Sequence, residues 1–125
     1  MIRGYVLQDE TGCSRLDGLD AVLEARQGGG ALLWVDAQGV SEEELARLGE
    51  GFGLAPAALE DCLVGEQRPR ADEYEHYMFL LCYGVLGRTG DLVYAPRKLG
   101  VFYAPDFLVT VHSEALLGVE TVWSN

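Results

Sequence analysis

The densest hydrophobic signal lies at residues 77–86, where both parities of the chain are apolar. Tyr77, Phe79, Leu81 and Tyr83 alternate with Met78, Leu80 and Cys82, which predicts a strand covered on both faces. A stretch with polar groups on both faces precedes it, and one long strand is predicted over 72–86, after a polar link at 65–70 that contains Pro69. Gly87-Arg88-Thr89-Gly90-Asp91 reads as a hairpin connection, with returning strands at 92–94 and 99–103 and an edge or bulge at Pro96. A turn at Ala104-Pro105-Asp106 leads into a last strand, Phe107–His112, after which Ser113 and Glu114 are expected to open a helix.

The amino-terminal half carries a different rhythm. Residues 5–7 predict a short strand, 9–18 a loop and 19–26 a short helix; Gly28-Gly29-Gly30 then forms a turn before a buried strand at 31–36. These glycines have neither the G-x-G-x-x-G nor the lysine-bearing phosphate-loop spacing, which argues against nucleotide binding. Ser41-Glu42-Glu43-Glu44 is a capping box ahead of the apolar stripe of Leu45 and Leu48. Gly49, Gly51 and Gly53 are expected to end that helix, and Pro56 to start another reaching Leu63. The order of elements predicts a single α/β (α+β) domain over 1–125, a mixed β-sheet sandwiched by helices.

Composition changes this picture in one respect. With 49% hydrophobic and 23% charged residues in 125, the chain is an ordinary globular one. Its 20 acidic against 9 basic residues, for a net charge of -11, oppose nucleic acid and anionic lipid and favour divalent cations, whose preferred ligands are oxygens. Three widely spaced cysteines, Cys13, Cys62 and Cys82, suggest no disulfide framework and fit a reducing compartment. The start of the chain lacks the apolar stretch of a signal peptide. The run at 77–86 is about half the length a membrane helix needs.

Leu33-Trp34-Val35-Asp36, Ser41-Glu42-Glu43-Glu44-Leu45, Phe52-Gly53-Leu54, Ala58-Leu59-Glu60-Asp61-Cys62-Leu63, Gln67-Arg68-Pro69-Arg70, Asp72-Glu73-Tyr74-Glu75, Tyr77-Met78-Phe79-Leu80 and Phe107-Leu108-Val109-Thr110-Val111-His112 occur in an order that resembles one family. It is the amino-terminal cytosolic domain of CorA-type magnesium and cobalt transporters, and the resemblance covers residues 31–112. It implies a mixed sheet between helices, joined in the full-length protein to a stalk helix and two membrane helices of a homopentameric channel. The chain is then expected to lie on the cytoplasmic side of the cell membrane and to touch the membrane only through helices missing here. The family's glycine-methionine-asparagine pore signature is also missing, so these residues alone do not conduct ions. In the family, cytosolic carboxylates at subunit boundaries bind Mg²⁺ and favour the closed pore. The regulatory aspartate tends to follow a strand such as 77–86; here Gly87 and Arg88 stand there, with Asp91 nearby but shifted. Related zinc transporters share the architecture.

Glu73, Glu75 and Asp91 are the candidate metal residues. Glu73 and Glu75 are expected about 7 Å apart on one strand face, fit for a hydrated Mg²⁺ or simply solvated; Asp91 sits in a glycine-flanked turn, where aspartate is also a common turn former. Glu60 and Asp61 lie near a helix carboxyl end and need a cationic partner, for which Arg68 and Arg70 are the candidates. His76 and Cys82 are about 20 Å apart along a strand and form no catalytic dyad. His112 reads as a satisfied structural histidine, and Trp34 as core.

The leading expectation is a cation-sensing regulatory domain with no catalytic centre and no tightly bound cofactor, binding Mg²⁺ weakly, its partners being further copies of itself. The alternatives are a standalone acidic protein-interaction module on the same fold, the corresponding domain of a zinc transporter, and a metal-dependent hydrolase, against which the missing ligand spacing argues.

Overall fold

In the computed structural model, residues 1–7, 12–29, 31–65, 67–88 and 91–124 are described, those at 85–88 and 91–96 by their backbone alone. The chain runs β1 (Ile2–Leu7), β2 (Cys13–Asp17), α1 (Leu19–Gly28), β3 (Leu32–Gln38), α2 (Glu42–Phe52), α3 (Pro56–Leu63), β4 (Arg70–Glu73), β5 (Met78–Arg88), β6 (Asp91–Ala104), β7 (Phe107–His112) and α4 (Leu117–Ser124). The strands form one sheet in the order β2-β1-β3-β7-β6-β5-β4. Its parallel pairing is β3 with β7; the remaining neighbours are antiparallel. The predicted mixed sheet between helices is what forms.

Strand alternation splits the sheet into two unlike faces. Leu33, Val35 and Ala37 of β3, Phe79 and Leu81 of β5, Phe102 of β6 and Val109 and Val111 of β7 point inward and are buried with residues of α1, α2 and α3. Leu48 of α2 and Val22 of α1 are fully covered there. Among the described residues the opposite, outer face is crossed by α4 alone, whose approach places Leu116 against Gly84 of β5 and Trp123 against Tyr5 of β1 and Trp34 of β3.

The capping box forms as expected. Glu44 N–H donates to Ser41 Oγ at 3.2 Å, and Ser41 N–H donates to the Glu44 carboxylate at 3.4 Å. Only Gly53 ends α2, in the left-handed region at φ 68°; Gly49 and Gly51 lie inside the helix. Their role is close packing: a Cβ on Gly49 would sit 2.4 Å from Leu59 of α3, and one on Gly51 2.3 Å from Leu23 of α1.

Further expectations are corrected. The loop at 9–18 contains β2, a mostly exposed edge strand in which only Leu16 packs on the core, its order coming from that contact and from backbone pairing with β1. The single strand at 72–86 is two strands. Residues 74–77 turn, closed by Tyr74 N–H on the Tyr77 carbonyl at 2.9 Å and by stacking of the two rings at 4.8 Å, so β4 folds back on β5. Finally, the two faces of β5 differ: Phe79 and Leu81 are buried, but Met78 and Leu80 are exposed. The returning strands expected at 92–94 and 99–103 are one continuous β6, and the Pro96 bulge appears within it: Val85 pairs with Pro96 and Leu86 with Val93, which leaves two β6 residues unopposed. The helix expected at Ser113 and Glu114 begins at Leu117.

Candidate functional site

The three candidate metal residues do not converge. Glu73 is the exposed last residue of β4 and Glu75 an exposed turn residue, so the shared strand face expected for them does not exist. Asp91 opens β6 opposite Arg88 at the far end of the β5–β6 hairpin; its side chain lies outside the described residues. Because Glu73 pairs with Met78 and Asp91 with Arg88, the length of β5 separates them, roughly 30–35 Å at the rise of a strand. Among the described residues no three His, Cys, Asp or Glu side chains cluster as a metal would require. His76 is exposed in the turn and not on a strand face with Cys82.

Near the start of β4 the acidic residues are paired. Arg70 Nη2 meets Asp61 at 2.5 Å and Arg70 Nε meets Asp72 at 2.8 Å, so Arg70 is the expected partner of the α3 carboxyl end. Lys98 of β6 adds a second cation there, donating to the carbonyls of Asp61 and Val64 at 2.9 Å each. Lys98 sits 34 residues from Val64, so no local sequence signal linked them. Cys62 is buried beside this group, and burial pushes its thiol up to about 12; it is no nucleophile at neutral pH.

The structure's main polar centre is on the outer face under α4, where sequence reading saw only Trp34 as core and His112 as structural. Asp36 and His112 are both 0% exposed, and Thr110 is buried between them. Asp36 Oδ1 receives Thr110 Oγ1–H at 2.6 Å and lies 2.7 Å from His112 Nε2; its Oδ2 is 3.1 Å from Arg3 Nη2. Arg3 reaches on to Glu120 of α4 at 2.7 Å, with its guanidinium 4.2 Å above the Trp123 ring. Trp123 packs on Tyr5 and Trp34 at 4.1 and 4.8 Å, and the Tyr5 hydroxyl donates to its carbonyl at 2.9 Å. Burial pushes the Asp36 carboxyl up, but the hydrogen bonds from His112 and Thr110, with the His112 and Arg3 charges, outweigh it and hold Asp36 below the usual range. Burial likewise pushes His112 down; the bond and charge of Asp36 and the Glu114 carbonyl reverse this and leave it raised. This arrangement ties α4 to β1, β3 and β7.

No helix among the described residues is long and apolar enough to cross a membrane. The chain is 32% identical over 92 residues to the putative metal ion transporter YfjQ of Bacillus subtilis, covering 74% of this chain and 28% of that one. Among solved structures it matches the soluble domain of CorA from Methanocaldococcus jannaschii with TM-score 0.70 and 21% identity, over 99% of this chain and 45% of that one. It matches the cytoplasmic domain of ZntB from Vibrio parahaemolyticus with TM-score 0.69 and 8% identity, over 98% and 47%. The chain therefore spans less than half the length of each. The two structures establish the fold alone, whereas the family model described as CorA-like Mg2+ transporter protein matches residues 29–124: the chain belongs to the CorA-like Mg²⁺ transporter family.

Proposed function

We propose that these residues form the cytosolic, cation-responsive regulatory domain of a CorA-like divalent-metal transporter, contributing gating and assembly rather than catalysis. The observation that carries the reading is family membership over residues 29–124 in a chain of net charge -11. Copies of so acidic a domain repel one another when assembled, and cations between them relieve the repulsion. Glu73 and Glu75 stand at one end of the β5–β6 hairpin and Asp91 at the other, too far apart to share an ion within one copy, so an ion bound at either end is completed by carboxylates of another copy or of a stalk. If the closed assembly binds Mg²⁺ more tightly than the open one, rising Mg²⁺ shifts the population toward closure by that difference in affinity. In the full-length protein the partners are further copies, in a homopentamer, and the membrane is met through helices outside this sequence.

Sedimentation velocity of this chain with and without millimolar Mg²⁺, at fixed ionic strength and with Ca²⁺ as control, tests the reading. Magnesium-selective self-association, lost in a Glu73→Gln, Glu75→Gln, Asp91→Asn variant, supports it. A monomer indifferent to Mg²⁺ removes cation sensing from these residues.

A second reading, an acidic protein-interaction module on the same fold, is favoured by the exposed apolar side chains of Met78, Leu80 and Tyr103 on the outer face.

A further inference from the structure

The wholly buried ring of His112 meets an oxygen at each nitrogen: Nδ1 is 2.6 Å from the Glu114 carbonyl oxygen and Nε2 is 2.7 Å from Asp36 Oδ1. A carbonyl has no proton to give, so Nδ1 carries one. Asp36 has none to give either. Its Oδ2 faces the Arg3 guanidinium, and its Oδ1 already accepts the Thr110 hydroxyl, whose oxygen in turn accepts from Trp34 Nε1 at 3.2 Å. Nε2 therefore donates as well, and a ring that donates twice is an imidazolium. The charges are compatible: with His112 protonated, Arg3 and His112 match Asp36 and the half-exposed Glu120.

We propose that His112 is a buried proton-binding site whose proton fastens α4 to the outer face of the sheet, so that losing the proton loosens α4.

A neutral imidazole keeps one N–H, and either choice reaches α4. If Nδ1 gives up its proton, a lone pair confronts the Glu114 carbonyl, in the segment that leads into α4. If Nε2 gives it up, a lone pair confronts Asp36 Oδ1, the carboxylate drawn further toward Arg3, and Arg3 is the residue that holds Glu120. The groups facing the ring are Asp36 and the uncharged Gln38 from β3, Arg3 from β1, Thr110 from β7 and the Glu114 carbonyl. The Glu114 carboxylate is turned toward Arg97 of β6, at 3.3 Å, and Glu120 of α4 acts through Arg3. Of these, Arg3 opposes the proton and Asp36 and the carbonyl favour it, with the balance on their side. Because the folded value is raised, the stabilisation is complete below the unfolded histidine value of about 6.5 and is lost as pH rises through the folded one.

The test is ring-nitrogen NMR of the chain with ¹⁵N-labelled histidine, from pH 6 to alkaline values, beside amide exchange of α4 corrected for intrinsic rates. The exposed His76 serves as internal reference. His112 is expected to show two protonated ring nitrogens at pH 7. Protection of α4 should fall by up to tenfold per pH unit between about 6.5 and the folded value, then level off. In His112→Gln the α4 protection should be lower at pH 6.5 and flat with pH; if that variant does not fold, the wild-type spectrum decides alone. A neutral tautomer at pH 7, or α4 protection that ignores the titration of His112, overturns the proposal. The result needs no Mg²⁺ and is independent of the cation reading.

Discussion

The two faces of the sheet are held by different physics. On the inner face Val35, Phe79, Phe102 and Val109 are sealed under α1, α2 and α3, and the attraction is non-directional, in proportion to area. On the outer face α4 buries Trp123 on Tyr5 and Trp34, but it is also tied through Glu120 and Arg3 to the Asp36, Thr110 and His112 cluster, where each contact needs a partner at a set distance. Beyond α4 the same face is bare, with Tyr103 58% and Met78 41% exposed. An apolar core tolerates exchange of one hydrophobe for another of similar volume, whereas a buried ionic cluster fails when one member is removed, because its partner is left charged and dry.

That contrast can be broken at several points. Phe102, stacked on Phe79 at 4.8 Å, should cost about 4 kcal/mol as Phe102→Ala in denaturant unfolding, and far less as Phe102→Leu. Asp36→Ala should cost about 3 kcal/mol, and here the near-isosteric Asp36→Asn should recover little, since an amide cannot neutralise both Arg3 and His112. Because Asp36 is lowered in the folded state, its contribution is present above the usual aspartate value and is lost as pH falls through the lower folded one. A stability profile against pH should therefore have a shallower acid limb in Asp36→Asn, with the remainder carried by groups such as Asp106, which Arg26 also holds low. Gly100→Ala should cost about 1–3 kcal/mol, since the new Cβ would lie 2.1 Å from Cys62 Sγ; Cys62→Ala in the same chain should return most of it, a coupling readable in a double-mutant cycle. Tyr103→Ser, on the bare part of the outer face, should change stability by no more than about 0.5 kcal/mol.

The inner face was legible because it is written in periodicity. Leu33 to Ala37, Phe79 and Leu81, and Phe107 to Val111 alternate as buried strands do, and Ser41 with Glu44 marks the start of α2 by local chemistry. What escaped reading depends on distant partners. Cys13 to Asp17 has too short an apolar pattern to be read, with Leu16 alone on the core, and becomes a strand because β1 offers it a backbone edge. The turn at 74–77 contains neither glycine nor proline, and two stacked tyrosines close it. The Asp36–His112 contact joins residues 76 apart and Arg3–Glu120 residues 117 apart, so side chains that read as a strand aspartate and a terminal histidine give no hint of one cluster. The candidate metal residues illustrate the converse: Glu73 and Glu75 are two apart in sequence yet share no strand, and Asp91 lies at the other end of β5.

Residue-resolved Mg²⁺ titration of the ¹⁵N-labelled chain at fixed ionic strength tests the proposed cation response most directly. The account predicts weak, millimolar perturbations confined to residues 73–76 and to the 88–91 hairpin, reproduced poorly by Na⁺ and erased by neutralising Glu73, Glu75 and Asp91. Perturbations spread evenly over the acidic surface, or none at millimolar Mg²⁺, would contradict it.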